Sequence, residues 1–339
     1  MQRLSLLAML TIGCGNNPSN GARPPDASTP VTGRGIETCI ASGGSLVQAW
    51  TAANLHGKVH AIALQGETLT LTSEDGSVKT WNTDDTGTGA DYGMRFADSG
   101  PVVAALAYTA DRLFGVTVDG SLRQWSAATK APLATTAVGD PSLSLVAVTG
   151  EMAIVARGPT DPTIRRVDLA TSTPSAPLST GLWGVGALSI VGTHLYAAGH
   201  YYSMASVERW DTTALLSPKD SYIAAESAVV RALAIDPEET TLVAAGDGFV
   251  HIMTPSDLAA GPRASGHDPT HHAVGAVLFP AKELVATAGS EGTLQLWRTT
   301  GEHVSTLTIP APVGLVTDAD AKTLYTSGAD GILRAFSCR

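Results

Sequence analysis

Val118-Asp119-Gly120-Ser121-Leu122-Arg123-Gln124-Trp125 is the stretch on which the fold turns. Asp119-Gly120 signals a tight turn, because glycine tolerates positive φ and aspartate hydrogen-bonds the backbone just beyond itself; the residues that follow suit a strand ending on an indole. The same unit recurs as Glu74-Asp75-Gly76-Ser77-Val78-Lys79-Thr80-Trp81 and as Ser290-Glu291-Gly292-Thr293-Leu294-Gln295-Leu296-Trp297. Less regular copies run from Thr163 to Asp168, Ser206 to Asp211, Gly248 to Thr254 and Gly331 to Ser337. Starting points near 77, 121, 164, 206, 249, 293 and 332 lie about 40 to 44 residues apart, the length of one four-stranded propeller blade. The expectation is an all-β chain, a seven-bladed β-propeller of four-stranded antiparallel blades. Compact apolar segments such as 59–64, 102–107, 143–148, 229–235 and 313–316 supply inner strands.

Composition agrees. Charged residues are 15% of the chain against 44% hydrophobic, so apolar material is ample, and Thr, Val, Ser and Gly outweigh the residues that fill exposed helices. The net charge is −10, and no run of Lys or Arg is present to neutralise phosphates, so no nucleic-acid partner is expected.

Over roughly 45–339 the repeats resemble the WD-repeat family. The Trp-Asp pair stands at Trp210-Asp211, with Trp81-Asn82, Trp125-Ser126 and Trp297-Arg298 as near relatives, and a Gly-His pair stands at Gly266-His267. The resemblance implies that such a His, a Ser or Thr, an Asp and the Trp form a buried hydrogen-bonded set, for which most blades here lack the residues. It also implies how the ring closes. Arg339 follows directly on a third strand, so blade seven lacks its outer strand, and 45–50 can supply it from the N-terminus, removing exposed edges. The segment from Thr38 to Trp50 also has the form of a second strand, turn and third strand of a further blade; no first or fourth strand accompanies it, and seven remains the count.

Ahead of the repeats, Met1-Gln2-Arg3 carries one positive charge and Leu4 to Ile12 is apolar, too short to span a membrane and of signal-peptide length. It ends in Thr11-Ile12-Gly13-Cys14, which resembles a bacterial lipobox and implies lipidation at Cys14; the alternative is an ordinary cleaved signal peptide. Residues 15–36, rich in Pro, Gly and Asn, read as a flexible tether, so the divisions expected are 1–14, 15–36 and a propeller over 37–339. A lipid anchor would hold the chain at the cell envelope, the outer membrane or cell surface being favoured because Gly15 is not the aspartate that retains such proteins inside. Without the lipid the chain would be secreted or periplasmic. In an exported chain Cys39 and Cys338 form a disulfide candidate, and the closure just described brings both to one face of the ring.

Motifs for nucleophilic, phosphate-loop or zinc-protease chemistry are absent from the sequence, so neither catalysis nor a cofactor is expected. His267, Asp268, His271 and His272 form a weak metal candidate, His267 reading more simply as the structural histidine of its repeat; Asp84, Asp85 and Asp91 are a weaker calcium candidate. A stronger signal is His200-Tyr201-Tyr202-Ser203-Met204, which looks like an irregular loop replacing the tight turn of blade four. Trp183, leading into that blade, and the lengthened 158–162 of blade three should share its face. Aromatic residues and Met are enriched in interface cores, so a protein-binding site of Trp183, His200, Tyr201, Tyr202 and Met204 is expected on the two-loop face near blades three and four, unless the rings fold back over the turn. The function expected is a non-catalytic scaffold, monomeric outside its complex. Alternatives are a lactonase-like or quinone-dependent propeller enzyme or ligand binder, and an outer-membrane protein assembly factor.

Overall fold

Turns at near-constant spacing, each followed by a strand that hides one face, leave a four-stranded sheet unable to bury its apolar side alone; a ring of sheets solves this by packing each against its neighbour. The computed structural model describes residues 35–339 except 54–56, 84–94, 98–99, 215–217, 219, 265–266, 269, 272 and 280–282. The expected Cys14 and His272 sites, Gly266 and the Asp84, Asp85 and Asp91 group lie outside the described residues.

Seven antiparallel sheets form a seven-bladed β-propeller. The inner strands are Val59–Gln65, Val103–Tyr108, Leu145–Thr149, Gly184–Val191, Val230–Ile235, Ala273–Leu278 and Pro312–Thr317. Each packs on the next and the last packs on the first, so the ring is closed. Six of the seven shift register near their start, as between Val59 and Ala61 or Val230 and Ala232. A repeated irregularity at one place twists each blade similarly. The core lies between blades: Trp210 of blade four packs with Ile154 and Ile164 of blade three, and Trp297 of blade six with Val243 and Val250 of blade five.

Blade seven is completed across the chain termini. Leu46–Ala53 pairs antiparallel with Ile332–Cys338, from Leu46 opposite Cys338 to Ala53 opposite Ile332. Cys39 and Cys338 are joined by a disulfide with Cα atoms 6.0 Å apart, closing a sequence separation of 299 residues. Gly44 makes room for it, since a Cβ there would overlap Cys39 Sγ and come within 2.9 Å of the Cys39 carbonyl.

Two expectations change at the N-terminal edge. The stretch with the form of a further blade begins instead as a helix, Ile36–Ala41, whose Ser42 and Gly43 amides bond back to Thr38, Cys39 and Ile40. Ile36, assigned to the tether, belongs to the propeller: it is fully buried with Ile40, Leu46, Leu284, Leu324 and Phe336, and its amide donates to the Ala321 carbonyl. A β-branched apolar side chain after the Pro-rich stretch has somewhere to go, a gain of about 1.5–3 kcal/mol on full burial. Buried Glu37 accepts the backbone N–H groups of Glu283 and Leu284, tying the helix to blade six as well as seven.

Replacing Cys39 and Cys338 together by Ser frees a loop whose closure entropy is worth at most about 5 kcal/mol. The double variant should unfold at a markedly lower urea concentration than the oxidised protein and match wild type measured under reductant; unchanged midpoints would show that strand pairing alone holds the ring.

Candidate functional site

Two turns of neighbouring connections meet on one face of blade four. Its second and third strands, His194–Tyr201 and Met204–Asp211, are eight residues each and stay paired out to Tyr201 opposite Met204. The expected irregular loop is therefore a two-residue hairpin turn, Tyr202-Ser203, at the tip of a lengthened hairpin. Pairing persists because the turn is short enough to follow the strand twist, and it does so at the expense of Tyr202, which adopts φ 53°. A left-handed conformation costs a side-chain-bearing residue about 1 kcal/mol, and glycine is the usual occupant of this turn position. Strain of this kind tends to be retained where the side chain has a use.

Trp183 is positioned by backbone bonds on both sides. Its amide donates to the His200 carbonyl at 2.7 Å, and the next residue, Gly184, pairs with His200. Gly184 must lack a Cβ, because one would run into the Pro159 carbonyl of the lengthened blade-three turn. That turn is braced by Asp161, which accepts from the Thr163 amide at 2.8 Å, pairs with Arg157 at 2.9 Å and through its carbonyl takes the Val185 amide.

The rings come together outside rather than folding back. Trp183 and Tyr202 have centroids 4.1 Å apart, Tyr202 and Tyr201 4.7 Å, and Trp183 and Tyr201 6.5 Å. Trp183 is 50% exposed and Tyr202 54%, so two of the four large exposed apolar side chains among the described residues lie side by side. Tyr201 and Met204 are half-buried. His200 is too, and burial first, then the Arg231 charge, lowers its imidazole pKa, which favours a neutral ring. The structure thus gathers Trp183, Tyr201 and Tyr202 into one surface, with His200 and Met204 acting beneath it as backbone supports.

The histidine cluster has a different character. His267 is fully enclosed in blade six. Trp297 Nε1 donates to Thr287 Oγ1 at 2.9 Å, the Thr287 hydroxyl stands 2.8 Å from His267 Nε2, and His267 Nδ1 meets the Glu291 carboxylate. Every proton finds an acceptor if Thr287 donates to Nε2 and Nδ1–H to Glu291. Both ring nitrogens are thereby committed. Asp268 and His271 form an exposed pair at 3.4 Å, and among the described residues no group of three or more His, Cys, Asp or Glu is placed to hold a metal ion.

A polar side chain from strand three, two positions before the indole site, takes part in these networks, which sequence reading overlooked. In blade six this residue is Gln295, whose amide nitrogen lies 3.4 Å from His267 Nδ1. In blade three it is Arg165, which grips Asp140 in the connection from blade two and donates to the Ser175 carbonyl at 3.0 Å. In blade four it is Glu208, nearly inaccessible, which accepts Trp210 Nε1–H at 3.1 Å; burial raises its pKa against that bond and one from the Gly181 amide. Arg334 of blade seven instead pairs with Asp330. The signal that reveals this is the aligned column Lys79, Arg123, Arg165, Glu208, His251, Gln295 and Arg334, polar at every copy.

No known protein-family model matches the chain, and no curated protein matches it either.

Two measurements check these local accounts. Tyr202→Gly should be about 1 kcal/mol more stable than Tyr202→Ala in denaturant unfolding, because both lose the ring but only glycine accepts the turn freely. For Glu291, burial would raise the carboxyl pKa, but bonds from Thr293 and His267 outweigh it and hold it below the ordinary 4.5. A depressed folded-state pKa gives stability that is present above the unfolded value and lost as pH falls through the folded one. Wild type should therefore lose stability below about pH 4.5 more steeply than Glu291→Gln; parallel curves would refute the assignment.

Proposed function

We propose that the chain is a non-catalytic, WD-repeat-like binding propeller of the cell envelope, which presents the Trp183–Tyr201–Tyr202 surface to a protein partner and is held at a membrane through a lipid on Cys14. The observation that carries the binding reading is the contact between Trp183 and Tyr202, half-exposed rings 4.1 Å apart at the tip of the one hairpin whose turn holds a strained tyrosine. Aromatic anchors that are rigid before binding lose little entropy on association, which is why a few of them supply most of an interface's energy.

The WD-repeat likeness is supported by blade six, where Trp297, Thr287, His267 and Glu291 form a hydrogen-bonded set with glutamate in the acidic role. The envelope reading is supported by the disulfide, a bond that persists in oxidising compartments, together with the leader and Cys14. Among the described residues no helix is long and apolar enough to cross a membrane, so in this reading attachment falls to the lipid.

Affinity purification of the native protein tests the reading, with Trp183→Ala and Tyr202→Gly beside wild type. Loss of the same partner from both variants, with folding intact by circular dichroism, is the expected result; retention of every partner would overturn it. On the same preparations wild type should fractionate with membranes and carry acyl mass on Cys14, and Cys14→Ser should be soluble.

A further inference from the structure

We propose that the aromatic surface of blade four recognises a proline-rich segment in the polyproline II conformation. This rests on the protein-binding reading and names the chemistry of the partner.

The geometry removes the other common modes of peptide recognition one by one. Strand addition needs unpaired backbone, but Tyr201 pairs with Met204 and Met204 with Ser227, so the backbone at the patch is already used. Helix docking needs an apolar groove, whereas this surface is a turn tip bordered by Pro159, the Arg157–Asp161 ion pair and His200. Acidic and phosphorylated motifs need arginines to receive them; Arg157 is engaged by Asp161 at 2.9 Å and Arg231 by Asp247 at 2.9 Å. An aromatic box for a methylated ammonium needs rings that stand apart around the cation, and here they touch one another.

What the surface offers is ring faces and hydrogen-bond donors. Among the described residues, nothing bonds to Trp183 Nε1 or to the hydroxyls of Tyr201 and Tyr202. A polyproline II helix is the matching ligand: it makes no internal hydrogen bonds, so its carbonyls stay open to donors, and its pyrrolidine rings pack on aromatic faces. It is also stiff before binding, as the strained, fully paired turn is, so neither side loses much entropy. A saccharide would stack on the same rings, but its hydroxyls donate as well as accept, and the carboxylates that would receive them, Asp161 and Asp247, are held by arginines.

Fluorescence anisotropy with labelled deca-proline, a Gly/Ser decamer and a chitin oligosaccharide, each titrated with the full chain, decides the matter. Deca-proline should bind at least about tenfold more tightly than the Gly/Ser peptide, and Trp183→Ala and Tyr202→Gly should each weaken it about tenfold. Tyr202→Gly suits the turn and so tests binding without threatening the fold. Tyr201→Phe with Tyr202→Phe keeps the rings and removes two hydroxyls, and should weaken binding by a smaller factor. Leu133→Ala, at an exposed leucine of blade two, should change nothing. Equal affinity for the two peptides, indifference to Trp183→Ala, or binding of the oligosaccharide alone would overturn the proposal. Partner loss on Trp183→Ala in the purification above, without deca-proline binding, would leave the protein-binding reading standing and sink this one; no partner loss and no peptide binding would sink both.

Discussion

Everything in the molecule depends on the join between its two ends. Apolar surface is buried between blades, so an open ring would expose two blade faces at once as well as an unpaired strand edge. The pairing of Leu46–Ala53 with Ile332–Cys338 removes the edge, and the Cys39–Cys338 bond ensures that the two partners meet at no further entropic cost. The helix Ile36–Ala41 adds a third element by reaching both blades six and seven. A join made of the first and last strands is also the pairing with the longest sequence separation, so forming it requires most of the chain to be in place. The disulfide is thus placed where loop closure is most expensive.

Given closure, individual blades are free to be irregular. A buried four-residue relay is present in blade six alone among the described residues, and in blades three and four a long polar side chain from the third strand satisfies buried groups with different chemistry: Arg165 through an ion pair to Asp140, Glu208 through an indole N–H. Each solution satisfies buried polar atoms around an inter-blade connection, which is the physical requirement; the identity of the residues is secondary. Blade three goes further, with an outer strand broken into Thr173–Pro174 and Leu178–Ser179, of which Leu178 still packs against the core shared with blade four.

Blade four is irregular in the opposite sense. Longer strands, a turn closed on a tyrosine and a neighbouring blade-three loop wired through Asp161 bring three rings together at the surface, Trp183 and Tyr202 exposed and Tyr201 half-buried. A closed ring gives this tip a rigid base, so a few exposed aromatics can act as a pre-formed contact surface.

The architecture was legible in the order of residues. Turn signals at Asp119-Gly120 and its copies recur at a fixed period, and the strand missing from blade seven matches the spare strand at 45–50, because turn chemistry and strand length are local properties. The same closure brings Cys39 and Cys338 to one face, where they are bonded. Tertiary structure alone decided the conformations that local propensity leaves open. Thr38 to Ala41 alternates enough to pass for a strand yet folds into a helix, since Ile36, Glu37 and Ile40 are rewarded for filling the gap beside blades six and seven. His200 to Met204 lacks a glycine and so reads as a loop, yet closes a tight hairpin because strand pairing on both sides outweighs about 1 kcal/mol of strain at Tyr202. Whether Trp183 and Tyr202 would touch was likewise beyond sequence: they lie in different connections, and the bond from the Trp183 amide to the His200 carbonyl and the packing of Gly184 against Pro159 bring them together.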